Sequence, residues 1–398
     1  MIENGGISRK EFDQRVEKCL AKMKKDNIDL MCVYGDAAHP ENLIYLTNYS
    51  PICADMPGYG GYNALFLLTR DGKATLVIDR DWQLDFARTD SWVEDIRAGK
   101  ESDIIGEMTD FMKKEKLDLG KIEMDTTFML ASFYKKIKKA FGRADIDEES
   151  RIVAGLRETK SGKEIELITK GLEILSKAHD VALEAAGEGI TEIDIAQEIR
   201  HTILNHGAEY TTALFVDGGL RSTIALASPM ASPYRLKKGD MVLVSIFCVY
   251  KNYSAGMDRA WVVGKPSDRQ QLLAEIELKT LEKSLSLVKA GVATSDFMEP
   301  VYYGYAEPML KEAGIMDYNI QGYVGHGTGV KIFESPVLSS LNPTVLKPGM
   351  VIDMEPGIYS KDPKIGGMRT SEFILVTETG YEILYEYPRR TGSWVSAV

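Results

Sequence analysis

At 398 residues, 44% of them hydrophobic and 27% charged, the chain is long enough for two domains with cores of their own. Its formal net charge of −11 argues against nucleic acid or an anionic membrane as a partner. The start of the chain is polar with no apolar signal-peptide core, and no run reaches the roughly 18 apolar residues of a membrane span, so a cytoplasmic protein is expected.

Ser8 and Glu11 stand in capping-box spacing before Phe12, Val16, Leu20 and Met23, which predicts an amphipathic helix over residues 8–25. Residues 30–34 are a short apolar run closed by Gly35 and Asp36, the pattern of a buried strand. Residues 64–68, the turn residues Arg70, Asp71 and Gly72, and residues 74–78 read as strand, turn and strand. Helices and strands go on alternating to about residue 150 and predict a small α/β domain. Ser161 with Glu164 is a second capping box, opening a long helix with Leu167, Ile168, Leu172 and Leu175 on its apolar face. The boundary is set just before it, giving domains 1–155 and 156–398. Beyond it, residues 241–244, 261–263, 323–332, 350–354 and 373–377 read as strands, and 267–289 as a helix. Strands that are not regularly interleaved with helices predict an α+β domain with antiparallel or mixed sheet. The cysteines, Cys19, Cys32, Cys53 and Cys248, include no CxxC pair. Cys32 and Cys248 lie in apolar runs and are expected to be buried thiols in a reducing compartment.

Four blocks carry a resemblance: LKKGDMVL (236–243), GHGTG (325–329), VIDMEPGIY (351–359), and GMR (367–369) followed by LVTETGYE (375–382). In this order and spacing they resemble the M24-type peptidase/creatinase family of Xaa-Pro dipeptidases, aminopeptidases P and creatinases. The resemblance covers about residues 155–390 and implies a pita-bread domain. The preceding residues are similar in layout and size to the family's smaller creatinase-type α/β domain. Members are commonly dimers, which implies a homodimer.

In the metal-dependent members, two Asp, one His and two Glu hold a pair of divalent ions that activate water. Carried over residue by residue, the His is His326 and one Glu is Glu355, but Ser245 and Gly256 stand at the two Asp positions and Ser371 at the last Glu position. Losing three carboxylates leaves too little charge for two dications, so no metal is expected. Asp258, two residues from Gly256 on a strand, faces the same side. It offers an alternative, a single Mn, Co or Zn ion held by His326, Glu355, Asp258 and Glu372.

Creatinases work without metal, and they have carboxylates at the positions of Asp258 and Glu355 that are thought to grip a guanidinium group. This implies a metal-independent, creatinase-like hydrolase of a carbon–nitrogen bond in a small, cationic amidino or amide substrate. In that reading His326 is the general acid/base, Asp258 and Glu355 complete the catalytic set, and Arg369 holds a carboxylate of the substrate or of the site. Phe333, Tyr59 and Tyr62 form aromatic walls and Glu372 joins the substrate site. The creatinase proton-shuttling His is absent from residues 227–233, and Val337 and Gly61 stand where arginines would read creatine, so creatine itself is not expected. Plainer readings stand beside these: Asp258 with Arg259 as a surface ion pair, Glu372 as a solvated strand residue, and Tyr59 and Tyr62 as loop residues. Two alternatives are a metal-dependent Xaa-Pro dipeptidase or aminopeptidase with displaced ligands, and a non-catalytic binding protein.

Overall fold

Ser8 accepts the Glu11 N–H at 3.3 Å and opens the helix Arg9–Lys25, which buries Phe12, Val16, Cys19 and Met23. The structure, a computed structural model, describes residues 6–51, 62–100, 103–117, 119–148, 151–341, 343–390 and 392. The chain divides into two compact units, Met1–Arg157 and Glu158–Val398.

The first unit is built on β1 (Leu30–Asp36), β2 (Asn63–Thr69), β3 (Ala74–Ile78), β4 (Asp95–Ala98), β5 (Lys121–Glu123) and β6 (Asp145–Asp147), in the sheet order β4-β3-β2-β1-β5-β6. The strands β1, β2 and β3 pair antiparallel, and β4, β5 and β6 join in parallel. Helices cover the sheet, so β1 and β2 are apolar on both faces. Leu30, Cys32, Leu65 and Leu67 pack with Met108 and Phe111 of the helix Ile104–Lys114. Burial pushes the Cys19 thiol up to about 12 and the Cys32 thiol further, as expected of inert core cysteines.

In the second unit, Ser161 and Glu164 form a complete capping box at the start of the helix Gly162–Ala185. Gly171 lets this helix lie directly on the sheet beneath it, because a Cβ there would stand 2.7 Å from the Cβ of Ala255. That sheet is β7 (Tyr210–Gly218), β8 (Met241–Tyr250) and β9 (Tyr253–Val262), antiparallel in that order. Lys251 and Asn252 turn the β8–β9 hairpin with φ of 51° and 67°, the left-handed pair that a two-residue hairpin requires.

Two further sheets complete the unit. The smaller is formed by β10 (Tyr318–Ile320), β14 (Ile358–Ser360) and β15 (Gly367–Met368), in the order β10-β14-β15. The larger is formed by β11 (Gly325–Gly327), β12 (Glu334–Val337), β13 (Val351–Met354), β16 (Glu372–Val376) and β17 (Tyr381–Ile383), in the order β12-β11-β13-β16-β17. Their pairings are antiparallel, which gives the expected α+β character. Among the described residues, no helix is long and apolar enough to cross a membrane.

Candidate metal centre

Strand register assembles the site. On the β8–β9 hairpin, Ser245 lies directly opposite Asp258, and Phe247 opposite Gly256. On the five-stranded sheet, His326 of β11 lies opposite Asp353 of β13. Directly opposed residues share a face, and so do residues two apart on a strand, which aligns Glu355 with Asp353 and His326. Ligand atoms of His326, Asp353 and Glu355 all lie within 4.8 Å of one another, and all three residues are buried. His326 Nε2 is 3.1 Å from Glu355 Oε1. Its Nδ1 donates to Gly327 O at 3.0 Å, which fixes the ring and aims Nε2 at the carboxylates.

Arg369, just past β15, brings a cation into the same cluster. Its Nη2 donates to Ser245 Oγ at 2.5 Å and to Asp258 Oδ1 at 3.1 Å. Its Nε lies 3.1 Å from Asp258 Oδ2 and 3.4 Å from Glu355 Oε2, without the alignment of a hydrogen bond to either. Arg369, Asp258 and Glu355 are all 1% exposed or less. Burial disfavours ionisation of Glu355, but Arg369 and His326 outweigh it and hold the carboxyl at about 2. Burial raises Asp258 to about 6, opposed by Arg369 and assisted by Glu355.

Asp353 does not stand out in the sequence because it lies neither at a family ligand position nor beside one of the three that lack their carboxylate. Its spacing of two from Glu355 on a strand was the available signal. Burial, then Glu355 and Asp258, push its carboxyl far above the usual range. Among the described residues neither of its side-chain oxygens has a hydrogen-bond partner, although the residue is fully buried. An isolated buried acid is costly, and a cation is the partner such a group lacks.

The three vacated ligand positions have new uses. Ser245 accepts from Arg369. Gly256 cedes its side-chain space: a Cβ there would lie 2.6 Å from the Phe247 ring and 3.3 Å from Asp353 Oδ2. Ser371 Oγ accepts the Asp258 N–H at 2.9 Å.

Of the other expected site residues, Phe333 sits by the cluster, its ring 4.2 Å from that of His326 and 5.4 Å from that of Tyr323. Glu372 turns the other way, to Arg389 Nε at 2.9 Å and Arg259 Nη2 at 3.8 Å, as strand alternation from Ser371 requires. It therefore belongs to no ligand set with His326. Asp258 is paired with Arg369, and its neighbour Arg259 instead donates to the Asp258 and Ser371 carbonyls. Tyr62 is buried in the first unit, against Trp82 and beneath Arg80. Tyr59 and Gly61 lie outside the described residues, as does Cys53.

Glu277 of the helix Asp268–Ser286 anchors the segment that carries Arg369. It accepts from Thr370 N at 2.6 Å and from Thr370 Oγ1 at 3.0 Å. Burial raises its carboxyl from 4.5 to about 8, against the Thr370 hydrogen bonds. Between those values the folded protein keeps a proton that the unfolded chain has lost. The contribution is therefore complete below about 4.5, declines as pH rises and is gone above about 8. Glu277→Gln is expected to make the decline of stability with pH shallower, as read from urea midpoints at several pH values across that window. An unchanged pH slope would show that Glu277 is ionised throughout.

Comparison with known proteins identifies the architecture. Residues 166–378 match the profile of metallopeptidase family M24, and residues 15–159 that of the creatinase/prolidase N-terminal domain. The chain belongs to metallopeptidase family M24. An Xaa-Pro dipeptidase of Pyrococcus furiosus is 30% identical, with 94% of this chain and 99% of that protein covered. The solved prolidase of Pyrococcus horikoshii superposes with a TM-score of 0.77 at 27% identity, covering 94% of this chain and 99% of that one. An Xaa-Pro dipeptidase from Bacillus anthracis gives 0.80 at 25% identity, covering 95% and 99%. The M24 chain is thus a creatinase-type N-terminal domain followed by a pita-bread domain, and an enzyme of the class that hydrolyses carbon–nitrogen bonds.

Membership overturns two expectations. The metal-independent creatinase-like hydrolase of a cationic substrate fails against full-length similarity to Xaa-Pro dipeptidases. Its physical premise fails too, because the guanidinium that Asp258 and Glu355 grip is the protein's own Arg369. The expectation of no metal fails because the family is one of metallopeptidases and His326, Asp353 and Glu355 form a donor cluster. Counting ligands at the family's positions overlooked Asp353.

Proposed function

We propose that the protein is a metal-dependent hydrolase of Xaa-Pro dipeptides in which one metal ligand, Asp353, is displaced from the family's usual positions while His326 and Glu355 keep theirs. The observation that carries this reading is the buried convergence of His326, Asp353 and Glu355 within 4.8 Å. Full-length similarity to Xaa-Pro dipeptidases supports the substrate class. One imidazole and two carboxylates suit Mn, Co or Zn, and a divalent ion held by them supplies Lewis acidity and a water of lowered pKa.

The chain's own residues supply position and shape. His326 is oriented by Gly327 O, and Asp258 is held by Arg369 and by the hydroxyl of Ser371. Phe333 is 43% exposed beside His326. With Tyr323 it offers an apolar aromatic wall suited to a prolyl ring. A homodimer and a cytoplasmic setting remain part of this reading, the first implied by the resemblance and the second by the free, buried thiols of Cys19, Cys32 and Cys248.

The test is hydrolysis of Xaa-Pro dipeptides against matched dipeptides without proline, in protein loaded with Mn or Co and in protein treated with a chelator. Cleavage confined to Xaa-Pro substrates, lost with the chelator and restored by metal, is expected. Cleavage that survives chelation, or no Xaa-Pro cleavage with any of Mn, Co or Zn, would overturn the reading.

A further inference from the structure

The donor set suits one divalent ion and does not suit the pair that the family's five-ligand pattern holds. Two dications bring four positive charges. The buried cluster has three carboxylates, Asp258, Asp353 and Glu355, and one of their neighbours is already the guanidinium of Arg369. Even fully ionised, three carboxylates against one guanidinium leave two negative charges, which a single divalent ion neutralises and a pair exceeds. Geometry divides the carboxylates in the same way. Arg369 engages Asp258 through Nη2 and Nε, and it takes Ser245 Oγ at the first vacated aspartate position. Asp353 has no contact with the guanidinium among the described hydrogen bonds and ion pairs, and both its oxygens lack hydrogen-bond partners while fully buried. It fills the space beside Gly256, the second vacated aspartate position.

We propose that the site takes one divalent ion per chain, ligated by His326, Asp353 and Glu355, and that the Arg369 guanidinium stands in place of a second ion. Asp353 is in this account a carboxylate relocated from β9 to β13, which keeps a ligand at nearly the same point in space while its origin in the chain changes. Asp258 serves as the counterion of Arg369 and not as a ligand. The proposal rests on the metal-dependent reading and adds the stoichiometry and the ligand set.

The test measures metal directly. Full-length protein without a histidine tag is saturated with Mn or Zn and desalted. The metal is then counted by mass spectrometry of the acid-digested sample, and affinity is read by titration calorimetry. One ion per chain is expected. Asp353→Asn is expected to weaken binding by at least about tenfold, the lower end of the effect of even outer-shell changes. That substitution has no protein hydrogen bond to lose at Asp353, and the melting temperature in chelator checks that it folds. In crystals, anomalous scattering from Zn should give one peak beside His326. Two ions per chain, no ion, or undiminished affinity in Asp353→Asn each overturn the proposal. The dipeptidase reading fails independently: one ion without Xaa-Pro hydrolysis removes that reading and keeps this one, and two ions with hydrolysis do the reverse.

Discussion

Exchanging Arg369 for methionine is expected to lower the unfolding free energy of metal-free protein by about 3–5 kcal/mol, the usual cost of leaving a buried charge without its partner. The side chain is 1% exposed, lies against Asp258 and Glu355 and donates to Ser245. Removing it leaves Glu355, whose carboxyl Arg369 helps to hold at about 2, beside a second acid. Urea denaturation in the presence of a chelator measures the loss. Adding Mn or Zn is expected to recover part of it, because a bound cation replaces the charge removed. Lysine is not a neutral replacement, since it cannot reproduce the two-point contact with Asp258. A methionine variant as stable as the parent would show that the acids neutralise themselves by protonation and that the guanidinium is not their counterion.

Glu355→Gln is expected to reduce kcat/KM on an Xaa-Pro dipeptide by about 100-fold or more, the upper end of what even outer-shell changes do to metal affinity or activity, because a ligand of the ion is weakened. The substitution keeps the size of the side chain but removes the charge that faces His326 Nε2 at 3.1 Å and Arg369 Nε at 3.4 Å. Steady-state kinetics at saturating metal, beside metal counting on the same sample, separates lost chemistry from lost ion. Activity within a factor of about three of the parent, far short of that loss, would remove Glu355 from the working site. His326→Ala is the companion variant, because the imidazole is the nitrogen donor of the cluster.

Local signals were strong enough to read much of the fold. The helix expected over 8–25 is Arg9–Lys25, and that over 267–289 is Asp268–Ser286. The strands expected over 64–68 and 74–78 are Asn63–Thr69 and Ala74–Ile78. The strands expected over 241–244 and 261–263 belong to the longer hairpin Met241–Tyr250 and Tyr253–Val262, whose turn is Lys251-Asn252. Without glycine, that pair does not announce left-handed backbone. Of the strand expected over 323–332, only Gly325–Gly327 forms.

In the site, His326, Glu355 and Asp258 were visible because they occur within motifs or two residues from a vacated position. Glu372 was misplaced because alternation along β16 sends it toward Arg389. Asp353 and Arg369 depend on what faces them across sheets. No local pattern states that residue 353 approaches residue 256, or that residue 369 reaches residue 245.

The approach of Phe247 and Asp353 to Gly256 also keeps that position closed to a larger side chain. An aspartate at position 256 would place its Cβ 2.6 Å from the Phe247 ring and 3.3 Å from Asp353 Oδ2. A side chain at 256 therefore needs the Phe247 ring and Asp353 to give way together. The five-ligand arrangement is thus out of reach of a substitution at 256 alone, and any attempt to install it must redesign positions 247 and 353 at the same time.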